Sequence, residues 1–130
     1  MTARAERVVA RARALIGVRF RPQGRSTTGG LDCIGVAAAA IDARDPPRDY
    51  AMRGGSAGRL AAGLAAAGLR RVEAAVPGDV LVLAPGPGQL HLGIVTETGF
   101  VHGDAGLRRV VERPGPPPWP ITSIWRIGED

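Results

Sequence analysis

The sequence predicts a single α+β domain in which N-terminal helices pack on an antiparallel β-sheet. Apolar residues of the first half recur with helical spacing, whereas the second half consists of short apolar runs bounded by proline and glycine. At 130 residues the chain is long enough for one core, and it shows neither an internal repeat nor a linker. Helices followed by consecutive strands are typical of the α+β class, so we assign residues 1–130 to one domain.

Two helices are predicted in the first third of the chain. The first spans residues 3–16, with one apolar face and one arginine-rich face, and ends at Gly17. A loop over residues 17–30 leads to the second helix, which runs from Cys33 to Arg44. The sequence Asp45-Pro46-Pro47 would stop this helix, because proline cannot continue one.

A third helix is predicted over residues 59–67, after a loop at 48–58. Ser56 is its expected N-cap and Gly68 its terminator. Leu60 and Leu64 lie one helical turn apart, so they are expected to share a buried face.

Five strands are predicted in the second half, each bounded by proline, glycine or a short polar turn. They cover residues 79–84, 90–95, 100–102, 107–112 and 121–127. The proline run 114–120 is expected to be extended and to stay out of the sheet interior, since proline lacks an N–H. It is either a docking strip or a loop pinned across the sheet edge. We expect Trp119 and Trp125 to plug the core or its edge.

Composition excludes several functional classes. The net charge is +5 and every basic residue is arginine, but the arginines are scattered and do not alternate with aromatic residues. This argues against specific nucleic-acid binding. The first ten residues are charged and lack a continuous apolar run, which predicts neither a signal peptide nor membrane insertion. One cysteine excludes an internal disulfide framework.

That cysteine, Cys33, stands where a glycine-rich loop turns into the second helix. Unpaired N–H groups and the positive end of the helix dipole favour an anion there, so we expect its thiol to have a lowered pKa and to be reactive. The alternative is a small buried core residue, because free cysteine is among the most buried residue types.

The two histidines fall in adjacent predicted strands. If the turn at 96–99 pairs Val95 with Phe100, then His91 and His102 lie diagonally on one face, about 7–8 Å apart. A register shifted by one residue would place them on opposite faces. The sequence favours the first arrangement.

A cysteine at a helix start and two histidines on one face form the set needed for thiol acyl transfer. Cys33 would attack a carbonyl carbon, His91 would move the proton, and His102 would orient His91. N–H groups at the helix start would meet the oxyanion. A metal site is the alternative, with Asp32 or Asp104 as a fourth ligand, but no closely spaced ligand pair supports it.

Four motifs in order resemble the NlpC-type bacterial cell-wall cysteine peptidases. They are Leu31-Asp32-Cys33-Ile34-Gly35-Val36, Pro77-Gly78-Asp79-Val80-Leu81-Val82, His91-Leu92-Gly93-Ile94-Val95 and Phe100-Val101-His102. The resemblance implies a papain-like α+β fold and cleavage of peptidoglycan stem peptides, with no cofactor.

The resemblance also implies roles for particular residues. It places the nucleophile on Cys33, the base on His91 and the third polar residue on His102. We expect Asp32, Gln23 and Arg25 to contact the substrate. A tyrosine common upstream of the nucleophile falls on Phe20, which lacks the hydroxyl, so Gln23 or Arg25 would have to supply a donor. Three smaller departures are Ile34 in place of serine, histidines one residue closer together, and Gly103 in place of alanine.

The small size and the late proline run resemble peptidases encoded with phage tails and gene transfer agents. This implies partners among phage-like tail or baseplate proteins, and synthesis in the cytoplasm followed by action at the cell wall or periplasm as part of a particle. Two alternatives stay open. One is a structural tail component with little activity, and the other is an acyltransferase or amidase acting on a small molecule.

Overall fold

The structure, a computed structural model, describes residues 1–43 and 56–128 and confirms the α+β class. Within these residues the helices are α1 (Ala3–Ala14), α2 (Cys33–Ile41) and α3 (Ala57–Ala66). The strands are β1 (Arg25–Ser26), β2 (Gly30–Leu31), β3 (Leu69–Val72), β4 (Val80–Leu83), β5 (His91–Val95), β6 (Gly99–Asp104), β7 (Arg109–Pro114) and β8 (Ile121–Ile127).

The main sheet has six strands in the order β3-β8-β4-β5-β6-β7, and every neighbouring pair is antiparallel. A separate two-stranded ribbon, β1-β2, delivers the chain to α2. The core lies between the sheet and helices α1 and α2, where the fully buried Val8, Val36, Ala40 and Ile94 pack together. Trp125 is also buried in this core, as predicted.

The helix ends differ slightly from the prediction. Helix α2 ends at Ile41 because Asp42 adopts the left-handed conformation, with φ +59°, and its N–H caps the helix carbonyls. Arg44, Asp45-Pro46-Pro47 and most of the predicted loop at 48–58 lie outside the described residues. Helix α3 begins at Ala57, two residues before the predicted start at Arg59. Ser56 accepts a hydrogen bond from the Arg59 N–H, which confirms it as the cap of α3.

Strand β3 was not predicted, and β7 begins two residues later than expected. In β3 only Leu69 is buried, while Arg70 and Arg71 are exposed, so the strand carries no alternating pattern. The strand β3 forms because its backbone pairs with β8. The start of β7 follows the left-handed Arg108, which belongs to the turn after β6.

The Pro77-Gly78-Asp79 motif has a structural role at the start of β4. The Asp79 carboxylate is fully buried and accepts two hydrogen bonds from the Arg126 guanidinium, of 2.8 and 2.9 Å. It also accepts one from the Val76 N–H. This pair joins the loop before β4 to β8. None of the helices in the described ranges has the length and apolar character needed to cross a membrane.

Candidate active site

The β5-β6 hairpin brings the two histidines together. Its register pairs Ile94 with Val101 and Val95 with Phe100, which confirms the predicted alignment. His91 and His102 therefore share one face, and His91 Nε2 lies 2.8 Å from His102 Nδ1. The ring centroids are 5.0 Å apart and the rings are nearly perpendicular, an arrangement that suits one hydrogen bond in the plane of His91.

Cys33 is the first residue of α2, and the Asp32 side chain caps the helix by accepting from the Gly35 N–H at 2.9 Å. Cys33 is buried, with 4% of its surface exposed. The backbone groups of Leu92 and Ile34 lie near the sulfur and lower the pKa of its thiol. Because Leu92 adjoins His91 in β5, the sulfur lies close to the strand that carries the first histidine.

Cys33, His91 and His102 line one open cleft of about 500 Å³. Phe20, at the position of the missing tyrosine, lines the same cleft. So does Gly103, where an added Cβ would meet its nearest atoms at 3.4 to 3.6 Å. That is ordinary contact, so alanine would also fit at Gly103.

The expectation of a lowered pKa at Cys33 is wrong. Burial raises the pKa of Cys33 to about 12, and the nearby Asp32 carboxylate raises it further, while N–H groups and Arg25 offset only part of this. Burial, together with His102, lowers the pKa of His91 to about 4. At neutral pH the cleft therefore holds a protonated thiol at Cys33 and a neutral imidazole at His91.

We predict slow alkylation of Cys33 at neutral pH. A pKa raised from 9.0 to about 12 lowers the thiolate fraction at pH 7 by about a thousandfold. Iodoacetamide labelling should therefore be far slower in the native protein than in the same protein unfolded in urea, and it should still be rising at pH 9. A native rate that reaches its plateau by pH 6 would instead mean a preformed thiolate–imidazolium pair.

The histidine pair determines which nitrogen can act as a base. If His91 Nε2–H donates to His102 Nδ1, then His91 Nδ1 carries a free lone pair and can accept the thiol proton. His102 Nε2 is buried and has no hydrogen-bond partner among the described residues. Within the described structure the His102 ring makes one hydrogen bond, to His91, and through it His102 can fix the tautomer of that ring.

The three predicted substrate-binding residues are connected to one another. Asp32 accepts from the Gln23 N–H at 2.9 Å and from Arg25 Nη1 at 2.6 Å. Asp32 and Gln23 line the cleft, whereas Arg25 lines a neighbouring cavity that Gln23 also reaches. Gln23 has a φ of +60°, a left-handed conformation that its bond to Asp32 holds in place. Contact of these residues with a substrate stays a prediction.

Trp119 and Asp104 also line the cleft. The sequence analysis assigns neither residue to the acyl-transfer site. The Trp119 ring packs edge-on against His91 and His102, with centroid distances of 5.6 and 5.8 Å. The sequence analysis places Trp119 in the core or at its edge and not in the site. No local pattern connects the segment between β7 and β8 with strands β5 and β6. For Asp104 the sequence suggests only a role as a possible metal ligand.

The metal alternative finds no support in the described ranges, where no three histidine, cysteine, aspartate or glutamate side chains are placed to hold an ion. The nitrogens His91 Nε2 and His102 Nδ1 face each other at hydrogen-bond distance.

Several solved structures share this fold. The NlpC/p60 domain of the peptidoglycan hydrolase SagA aligns with 85% of this chain and 88% of its own length, at 21% identity and a TM-score of 0.57. The P60 domain of an antigen from Mycobacterium avium subspecies paratuberculosis aligns over 98% and 96%, at 22% identity and a TM-score of 0.66.

The peptidoglycan hydrolase RipB from Mycobacterium tuberculosis is 25% identical, with a TM-score of 0.63 over 98% of this chain and 66% of RipB. No protein-family model matches the chain, and no curated protein matches it by sequence. The fold is therefore of the NlpC/p60, papain-like type, as the sequence motifs implied.

Proposed function

We propose that this protein is a cysteine endopeptidase that hydrolyses the peptide stems of bacterial peptidoglycan. One observation carries the proposal: Cys33 and the hydrogen-bonded pair His91–His102 line one cleft. Two of the proteins that share the fold are described as peptidoglycan hydrolases, which supports this substrate class. The cleft of about 500 Å³ is open and has room for a short peptide.

The first half of the reaction forms a thioester. The Cys33 sulfur attacks the carbonyl carbon of the scissile amide while its proton passes to His91 Nδ1. His102 Nδ1 accepts a hydrogen bond from the Nε2–H of the resulting imidazolium and so stabilises its charge. Backbone N–H groups at the start of α2, including that of Cys33, donate hydrogen bonds to the oxyanion and stabilise it.

The second half releases both products. His91 returns the proton to the amine, the C–N bond breaks, and the amine leaves. Water then attacks the thioester while His91 takes one of its protons, and the carboxylic acid departs as the sulfur regains a proton. No cofactor takes part.

The direct test is the release of muropeptides from purified peptidoglycan, followed by liquid chromatography and mass spectrometry. The native protein should release stem-peptide fragments, and the Cys33→Ala variant should release none. Because alanine fits at a first-turn helical position, the variant should keep its circular dichroism spectrum. Equal release by a folded Cys33→Ala variant would refute the proposal.

The pH profile should extend further into the acidic range than for an ordinary histidine base. His91 must be neutral to accept the thiol proton, and its pKa is lowered from 6.5 to about 4. As the pH falls, kcat/KM should therefore be retained below 6.5 and drop only near 4. Measurement of kcat/KM from pH 3.5 to 7.5 tests this, and half-maximal activity near 6.5 would contradict it.

Restoring the missing hydroxyl should raise the rate. Phe20 lines the cleft, so a tyrosine there would place a hydrogen-bond donor in the site. We expect Phe20→Tyr to increase kcat by about tenfold, as an additional donor to developing charge can. Phe20→Leu is the control, because it replaces the aromatic ring by an aliphatic side chain without adding a hydrogen-bond donor. If Phe20→Tyr gave no increase over the parent, Phe20 would not stand at the polarising position.

We propose that phage tail or gene-transfer-agent particles carry the enzyme to the cell wall. This proposal depends on the sequence resemblance alone. Tail or baseplate genes beside its own gene, and co-purification with such particles, would support it. Association with particles without any muropeptide release would favour the alternative of a structural tail component, which the absent hydroxyl at Phe20 also favours.

A further inference from the structure

We propose that Asp104 binds an ammonium group of the substrate within the catalytic cleft. This inference rests on the proposed peptidase function and specifies which peptides the cleft selects.

Asp104 is the last residue of β6, two positions after His102, so both side chains leave the same face of the strand. It lines the cleft and is partly exposed. Its Oδ1 accepts a hydrogen bond of 3.0 Å from the Leu107 N–H. Within residues 1–43 and 56–128 it makes no ion pair, so its negative charge has no partner in the described structure.

The other carboxylate of the cleft differs in this respect. Asp32 is 6% exposed, and its oxygens accept bonds from Arg25 and from the N–H groups of Gln23 and Gly35. Arg25 neutralises the charge of Asp32, and the Asp32 carboxylate already accepts hydrogen bonds from groups of the protein. Asp104 is thus the carboxylate that the cleft leaves available to a ligand.

The charge of the cleft lining is opposite to that of the protein. The chain has a net charge of +5, yet no arginine is among the described residues that line the cleft. Both histidines have lowered pKa values, so they are neutral at pH 7. Arg113 lies over the Trp119 ring at 5.7 Å, and its charge acts on His102, but it does not line the cleft. A cationic ligand in the cleft would therefore meet one carboxylate that makes no ion pair, with apolar walls such as Trp119 to reduce the screening of its charge by water.

An ammonium group fits this environment because it is compact and donates up to three hydrogen bonds, one of which can go to the free Asp104 Oδ2. A stem peptide offers such a group in two places, its N-terminal amine and the side-chain amine of a diamino acid. The chemistry is the same for both, and selective acetylation distinguishes them.

The test compares a free stem peptide, its N-terminally acetylated form and its side-chain-acetylated form as substrates. In the native protein, acetylation of one amine should lower kcat/KM by about tenfold, the value of one charge-assisted hydrogen bond. In Asp104→Asn, that peptide and its acetylated form should be hydrolysed with the same kcat/KM. Asparagine can still accept from the Leu107 N–H, which preserves the turn. Glu73→Gln, which removes a carboxylate outside the cleft, should keep the tenfold difference.

Binding to the inactive protein separates this inference from the proposed function. Calorimetry with Cys33→Ala should show the same preference for the free amine, and Cys33→Ala/Asp104→Asn should have lost it. If the native protein cleaves none of the peptides, the proposed function fails, and the binding comparison still decides the role of Asp104. The inference would be overturned if acetylation weakened binding equally in Cys33→Ala and Cys33→Ala/Asp104→Asn. It would also be overturned if acetylation changed binding to neither variant.

Discussion

Replacement of His91 by glutamine is expected to lower kcat/KM for stem-peptide hydrolysis by about a thousandfold, within the range that general bases contribute. The Cys33 thiol has a pKa raised to about 12, so without a base it would seldom be ionised at neutral pH. Glutamine has no nitrogen that can accept the proton at that pH, although its amide can still hydrogen-bond to His102 Nδ1. The measurement is kcat/KM at pH 7 for both proteins.

His102→Asn is the matched comparison for this prediction. It removes the orienting group but leaves the base, so its loss should be smaller than that of His91→Gln. Both variants should unfold at urea concentrations close to that of the parent. A His91→Gln variant within tenfold of the parent, while still folded, would remove His91 from the mechanism.

Replacement of Asp32 by alanine should lower the free energy of unfolding by about 3–5 kcal/mol, the cost of removing one partner from a buried ion pair. The Arg25 and Asp32 side chains are 3% and 8% exposed, and their atoms are 2.6 Å apart. The same change removes the cap of α2 and the acceptor that holds the Gln23 backbone. Urea denaturation at pH 7 measures the loss.

The double variant Asp32→Ala/Arg25→Leu tests the cause of this loss. Because it leaves no buried guanidinium without its carboxylate partner, it should be more stable than Asp32→Ala alone. Asp32→Asn should have an intermediate stability, since asparagine also caps helices. If Asp32→Ala unfolded within 1 kcal/mol of the parent, the pair would contribute little and Asp32 would be free for another role.

The arrangement of the histidines could be predicted because it depends on local chemistry. The turn between Val95 and Phe100 is closed by bonds between Thr96 and Gly99, and the period of two along each strand then determines which side chains share a face. Likewise, the position of Cys33 at the start of α2 follows from the preceding glycines and the capping Asp32.

The remaining site residues could not be predicted because they depend on contacts between distant segments. Trp119 reaches the histidines across the sheet from the connection between β7 and β8. Arg25 and Asp32 were predicted as site residues and are only seven residues apart, but their ion pair depends on the pairing of β1 with β2, which the sequence analysis did not predict. The shape of the cleft depends on where these segments meet.

The pKa of Cys33 also could not be predicted from the sequence, because it depends on contacts between distant segments. The sequence places the thiol at a helix start, which would lower its pKa. Burial acts in the opposite direction and is larger, but it depends on how β5 and β6 cover the helix. A local motif therefore predicts Cys33 as the candidate nucleophile, whereas the pKa of its thiol depends on the tertiary structure.

The proposed mechanism requires a covalent bond between the Cys33 sulfur and the carbonyl carbon of the substrate. The substrate for the test is an activated ester of a stem peptide, because its good leaving group lets the acyl-enzyme accumulate. The protein is quenched in acid during turnover, and intact-mass spectrometry then detects the bound acyl group. We predict a mass increase equal to the acyl group, mapped to the peptide that contains Cys33 and absent from Cys33→Ala. Turnover by the native protein without this adduct, or an equal adduct on Cys33→Ala, would rule out Cys33 as the nucleophile.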